Sequence, residues 1–331
     1  MKTITKIILS AAAVLVLPVL SLAQGRSIYG ADNRLDFYEA SADMKVLSLS
    51  VVSFWKSAKV VEYDGGYSLT TKPFGDALGL CPGEKFRDQF VGAFCSGSLV
   101  GEDLVITAGH CVKDETGCAD TRLVFGFLVN SAGGTGPSTV AISEVYKCAK
   151  IVKRFLGGEP GSANPAGQAL GPDYALIQLD RKVKGHKPLP INRGALAQGA
   201  KVFVIGHPVG LPLKVAGDAS VRDASKKGYF VADLDTFGGN SGSPVFNAST
   251  KKIEGILVRG DTDFVKSPAG CTTMATYEQT GGRGEDVTKI SELAAFIPKV
   301  AGEKSTTEYQ NVNTKNLAPA ATPPAANVRF Q

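Results

Sequence analysis

Thr107-Ala108-Gly109-His110-Cys111 is the stretch on which the reading of this 331-residue chain turns. A short apolar run over 104–107 ends there, small residues let the backbone turn tightly, and an imidazole is presented beside a cysteine able to anchor it. Taken alone, this is also the setting of a structural histidine. The chain has only three histidines, however, so chance seldom puts one in such a context.

Further along, Asp173-Tyr174-Ala175-Leu176-Ile177-Gln178-Leu179 puts an aspartate at the mouth of an apolar strand, which alone reads as a turn residue. Gly238-Gly239-Asn240-Ser241-Gly242-Ser243-Pro244 flanks a serine with glycines, so that the backbone N–H groups of Gly239 and Ser241 can converge on one point. Converging donors of this kind stabilise the oxyanion of a tetrahedral intermediate. Alone, that segment is a glycine-rich turn. Together the three segments run in the order His, Asp, Ser, which differs from the order in α/β-hydrolases, and position 243 is Ser where their Gly-x-Ser-x-Gly elbow needs Gly.

The rest of the chain has the pattern of an all-β protein. Runs rich in Val, Ile, Leu and Phe recur over 45–54, 94–100, 104–107, 123–128, 140–146, 175–179, 201–205, 229–233, 244–246 and 252–258, separated by Gly, Pro, Asp and Ser. Residues 157–171 read as a loop, and the charged, proline-containing stretch 182–190 as a crossing between two halves. One C-terminal helix is expected over 286–297, where Val287, Ile290, Leu293, Ala294 and Ile297 recur at helical spacing before Pro298. The expected organisation is a signal peptide over 1–23, a first half over 24–185 with His110 and Asp173, a second over 186–301 with Ser241, and a disordered tail over 302–331.

Lys2 and Lys6 before the apolar run 7–20, with Ser21-Leu22-Ala23 behind it, predict export by a cleaved signal. The run is short of the roughly 20 residues a spanning helix needs, so no membrane association is expected after cleavage. Six cysteines, Cys81, Cys95, Cys111, Cys118, Cys148 and Cys271, then suit three disulfides, and none forms the Cys-x-x-Cys pair of a zinc site. The charge of +5 is spread without basic runs, which argues against a nucleic-acid partner.

At this point the sequence resembles the trypsin/chymotrypsin-like serine peptidases, and more closely their bacterial branch that includes the V8-type glutamyl endopeptidases. The resemblance rests on Phe94-Cys95-Ser96-Gly97-Ser98-Leu99-Val100, the TAGHC segment, Asp173-Tyr174-Ala175-Leu176 and the GNSGSPV segment, with a weaker match at Ile28-Tyr29-Gly30-Ala31-Asp32-Asn33-Arg34. It implies two antiparallel β-barrels with the active site in the cleft between them, a His110–Asp173–Ser241 triad, an oxyanion hole from Gly239 and Ser241, and a Cys95–Cys111 bridge. The other four cysteines allow three pairings, of which Cys118–Cys148 with Cys81–Cys271 is expected. Chemistry of this type needs no cofactor and no metal.

The resemblance also implies a substrate pocket lined by Val258, Arg259 and Gly260, with Asp235, six positions before the serine, at its base; a carboxylate there favours Lys or Arg before the cut. Arg259 favours an acidic residue instead, although Leu257 stands where the glutamyl enzymes carry a histidine. Asn240 replaces the aspartate that pairs with a new N-terminus in the animal enzymes, so that switch is not expected. The expectation is therefore an exported endopeptidase acting on proteins or peptides, of unknown oligomeric state. Its alternatives are a glutamyl preference or a catalytically silent binding protein on the same scaffold.

Overall fold

The computed structural model describes residues 28–157, 171–300 and 303. The expected signal peptide over 1–23 lies outside the described residues, as do the tail over 302–331, apart from Glu303, and nearly all of the loop over 157–171.

Six strands close the first barrel: β1 (Val51–Lys56), β2 (Cys95–Leu99), β3 (Leu104–Thr107), β4 (Thr121–Val124), β5 (Val145–Leu156) and β6 (Asp173–Leu179). Six more close the second: β7 (Lys201–Gly206), β8 (Lys214–Asp223), β9 (Tyr229–Ala232), β10 (Pro244–Asn247), β11 (Ile253–Arg259) and β12 (Glu285–Lys289). Around the first ring the order is β1-β2-β3-β6-β5-β4, and around the second β7-β8-β9-β12-β11-β10, so the chain follows one path twice. Every neighbouring pair is antiparallel, and closure leaves no strand edge unpaired within either ring.

The apolar runs are nearly continuous because the inner strands are buried on both faces. On β6, Ala175, Ile177 and Leu179 fill the first barrel, while Tyr174 and Leu176 face a second cluster shared with the other barrel. On β7, Val202 and Val204 point into the second barrel, and Phe203 and Ile205 join the same shared cluster. The period-two alternation of a strand thus sorts residues between a barrel interior and the seam between barrels. The seam also takes Ile106, Ile256 and Val258. Its burial is what orients the loops that carry the functional residues.

Three disulfides are present, Cys95–Cys111, Cys118–Cys148 and Cys81–Cys271. The last closes 190 residues and ties a loop ahead of β2 to one between β11 and β12; in a chain-entropy picture such a closure is worth about 5 kcal/mol. The N-terminal segment also crosses to the second barrel, where Arg34–Asp36 pairs with β8 and Ile28–Tyr29 lies parallel to Thr276–Tyr277. No helix of the described residues is long and apolar enough to cross a membrane.

Two expectations need correction. The C-terminal helix over 286–297 does not form: Glu285–Lys289 is β12, hydrogen-bonded on both sides to β9 and β11, and only a 3-10 turn over Ile290–Glu292 follows. Val287 enters the second barrel and Ile290, Leu293 and Ile297 enter the seam, so the helical spacing came from apolar residues that serve two different clusters. The strand expected over 45–54 begins at Val51; before it Ala42–Ser48 is an α-helix whose Leu47 and Met44, three residues apart, face the seam.

His207, between β7 and β8, is 1% exposed. Its Nδ1–H donates to the Leu211 carbonyl at 3.0 Å and its ring stacks on Phe127. Burial lowers its pKa from 6.5 to about 3, with the Leu211 bond opposing the shift. The unfolded chain takes up this proton first, so the group's contribution to stability is complete above 6.5 and is lost as pH falls toward 3. Urea unfolding of His207→Gln between pH 7 and 4 should show a shallower acid loss than the unaltered protein; parallel profiles would remove His207 from the acid response.

Candidate active site

His110 stands on the turn after β3, anchored through Cys111 to Cys95 on β2. Its turn packs so closely on β6 that a Cβ on Gly109 would lie 2.5 Å from the Phe155 carbonyl oxygen and 2.9 Å from Asp173 Oδ1. Only glycine fits there. Asp173, the first residue of β6, is fully buried; its Oδ2 accepts from His110 Nδ1–H at 2.6 Å and its Oδ1 from the His110 backbone N–H at 3.2 Å. One carboxylate therefore sets both the position of the ring and its tautomer, leaving Nε2 as the basic nitrogen of a side chain still 16% exposed. Across the seam, Thr288 of β12 donates its hydroxyl to the Asp173 carbonyl and accepts from the Asp173 N–H, both at 2.9 Å.

Ser241 lies in the turn ahead of β10. Its carbonyl is 3.6 Å from the Sγ of Cys111, the neighbour of His110, and accepts the Ser96 N–H at 2.9 Å. The next residue, Gly242, has φ +93°, and a Cβ there would come within 2.0 Å of the Ser96 carbonyl oxygen and 2.2 Å of Thr107 Oγ1. Both the left-handed backbone and the close approach demand glycine. Gly239, with φ +86°, has its carbonyl held by the Ser96 hydroxyl at 3.0 Å. Among the described residues, neither the Gly239 nor the Ser241 N–H donates to a protein acceptor.

The expected pocket residues have various surroundings. Asp235 is 2% exposed, and its oxygens accept the backbone N–H groups of Tyr29 at 2.7 Å and Asn33 at 3.3 Å. Val258 is packed in the seam. Arg259 donates to Asp286 Oδ2 at 3.1 Å and to the Gly171 carbonyl at 2.7 Å, two residues before Asp173. Gly260 faces Glu285: a Cβ on it would stand 2.0 Å from Oε2 of that carboxyl. Asn240 is buried, its Oδ1 accepting the Ser243 hydroxyl at 3.3 Å. The two sulfurs nearest His110 are joined in a disulfide and offer no thiolate to a metal.

Sequence reasoning did not single out Ser96, Thr288 or Glu285. Ser96 lay inside a quoted motif without a role. Thr288 and Glu285 carry no local signal, since each meets the site only through the folding of β12 against distant strands.

Residues 95–256 match the family model described as a trypsin-like peptidase domain. A glutamyl endopeptidase of Bacillus licheniformis is 27% identical over 170 residues, covering 48% of this chain and 46% of that protein. Serine protease 23 of Rattus norvegicus is 33% identical over 145 residues, 39% of this chain and 34% of its own length, and the Mus musculus protein is 32% identical over a similar span. The chain thus spans less than half the length of these curated relatives. A solved structure of a Glu endopeptidase in complex with MPD aligns with 86% of this chain and 97% of its own at a TM-score of 0.43 and 16% identity. Fold, motif order and family match together define a trypsin-like peptidase domain. Residues 95–256 thus carry a trypsin-like peptidase domain, similar to that of the glutamyl endopeptidase of Bacillus licheniformis.

Ser96→Ala should lower kcat about 10- to 100-fold with KM little changed, because the Gly239 carbonyl loses its partner; Thr should restore part of the rate. Steady-state kinetics on one peptide decides, and a change confined to KM would refute the positioning role. Asp235 gives a second prediction. Burial raises its carboxyl from 3.8 to about 6, with the amides of Tyr29 and Asn33 opposing. The folded chain holds this proton more tightly than the unfolded one, so this contribution favours folding at low pH and declines as pH rises from 3.8 to about 6. Unfolding free energies of Asp235→Asn relative to the unaltered protein should shift in the variant's favour across that interval and stay level above it.

Proposed function

We propose that the chain is an exported serine endopeptidase that hydrolyses peptide bonds through a His110–Asp173–Ser241 triad and an acyl-enzyme, preferring Lys or Arg before the cut. The observation that carries this reading is the doubly bonded Asp173–His110 pair, buried under a ring that remains accessible, with the Ser241 turn bound to the adjoining strand. In it, Ser241 Oγ attacks the scissile carbonyl while His110 Nε2 takes its proton and later gives it to the leaving amine. Asp173 stabilises the imidazolium, and the Gly239 and Ser241 N–H groups receive the oxyanion. Water then releases the acyl group through the same relay.

An intact His, Asp and Ser in this setting favours catalysis over a silent binding scaffold. Three disulfides support an oxidising compartment, in keeping with the expected signal peptide. A glutamyl preference is the second reading, supported by the name of the Bacillus licheniformis relative. The test is labelling of the purified mature protein by a fluorophosphonate, with mass spectrometry of cuts in a mixed peptide library. Expected are adduct formation at Ser241, cleavage after Lys or Arg, and a loss of about 10⁶-fold in kcat in Ser241→Ala. Absence of both label and cleavage would leave the binding scaffold as the better reading, and cuts after Glu would leave the glutamyl one.

A further inference from the structure

Glu285 is a carboxyl group that the scheme above does not use, and it lies between the segment leading to Ser241 and the Gly260 end of β11. It is the first residue of β12 and 2% exposed. Oε2 accepts the hydroxyl of Thr236 at 2.7 Å, from the segment leading to Ser241, and Oε1 accepts the Tyr29 hydroxyl at 3.2 Å. On the opposite wall, Oε2 occupies the space a side chain on Gly260 would take. The missing Cβ at 260 thus makes room for a carboxyl from the neighbouring strand.

Asp235 is placed differently. Both of its oxygens face the N-terminal segment and are held by backbone N–H groups of Tyr29 and Asn33. That arrangement braces the specificity segment against the Ile28–Tyr29 strand, and stacking of Tyr29 on Tyr277 extends the brace to the far side of the pocket. Glu285, among the described residues, is bonded by the side-chain hydroxyls of Thr236 and Tyr29 and by no backbone N–H. Of the two acids it is the freer to receive a ligand.

We propose that Glu285, and not Asp235, is the residue that reads the substrate side chain before the cut, receiving a Lys ammonium or Arg guanidinium between Thr236 and Gly260. This rests on the basic-specificity reading of the preceding subsection. Burial, the largest influence on Glu285, raises its pKa well above the usual carboxylate range, Asp263 acting in the same sense and Arg283 and the two hydroxyl bonds opposing it. A carboxyl kept neutral in the empty pocket ionises when a cation enters, because the cation compensates the burial of the charge. Neutral side chains gain only a hydrogen bond, and an acidic one meets a second carboxyl.

The test compares Arg, Gln and Glu before the cut in one peptide, using the full mature protein, Glu285→Gln and Asp235→Asn, each checked for folding by thermal unfolding. The unaltered protein should favour Arg. Glu285→Gln, which keeps an acceptor for Thr236, should lower kcat/KM for the Arg peptide by at least about thirtyfold while the Gln peptide changes less than about threefold. Asp235→Asn should leave the Arg-to-Gln ratio within about threefold of the original. An unchanged ratio in Glu285→Gln, a collapse of the ratio in Asp235→Asn, or a preference of the unaltered protein for Glu would each overturn the assignment. If Glu285→Gln does not fold, benzamidine decides: competitive inhibition with the same Ki in the unaltered protein and Asp235→Asn supports Glu285, and a Ki raised tenfold or more in Asp235→Asn, or no inhibition, refutes it. Failure of the fluorophosphonate to label the unaltered protein is the separate result that defeats the peptidase reading itself.

Discussion

Ser96, a fully buried serine on β2, binds two loops of the other barrel through three hydrogen bonds, two to the Ser241 turn and one to the His207 turn. Its N–H donates to the Ser241 carbonyl, its hydroxyl donates to the Gly239 carbonyl, and the same hydroxyl accepts the His207 N–H at 2.9 Å. The Ser96 carbonyl in turn accepts from Thr107 at the foot of the histidine turn. A single residue therefore ties together the histidine turn, the serine turn and the loop that carries His207. In a buried setting each of these groups would be costly to leave unpaired, which makes the relative placement of the two barrels sharply defined.

That arrangement needs a rigid seam around it, and the seam is apolar. Leu176, Ile106, Phe203, Ile205, Ile256 and Val258 alternate with barrel-filling neighbours on their strands, so a slip of one residue in any strand would exchange the two sets. Thr288 secures the other flank by gripping both the N–H and the carbonyl of Asp173. The Asp173 end of β6 and the Ser241 turn are thus each pinned to a strand of the opposite barrel, and the His110 turn is held to Asp173 and, through Cys111, to Cys95. Preorganisation here is a property of the contact between barrels more than of any loop by itself.

The N-terminal segment adds a further link. Tyr29 offers its backbone to Asp235, its hydroxyl to Glu285 and its ring to Tyr277 and to the Arg222 guanidinium, 4.7 Å from the centroid. Arg34, fully buried, lies between Asp32 and the ring of Phe237, 4.3 Å away, just before the turn that carries Ser241. A few residues far from Ser241 in the sequence thus support Asp235, Phe237 and Glu285 through buried polar groups.

How much of this was legible in the chain follows from the range of the interactions. The TAGHC, Asp-Tyr-Ala-Leu and GNSGSPV segments announced themselves because small residues, a strand start and glycines at positive φ are local requirements, written within a few positions of the group they serve. Short apolar runs between turns likewise identified an all-β chain, since burial on both faces leaves a plain compositional trace. β8 was invisible because Gly217 and Asp218, with φ +58° at Asp218, interrupt its alternation, and β12 looked helical because its apolar residues are shared between a barrel and the seam. Amino-acid order alone thus determined the class, the chain order of His110, Asp173 and Ser241 and the glycines around them. Tertiary structure alone decided that Asp235 is tied to Tyr29, that Glu285 stands beside Gly260 and that Ser96 joins the two turns, because each depends on strands that meet only after both barrels have closed.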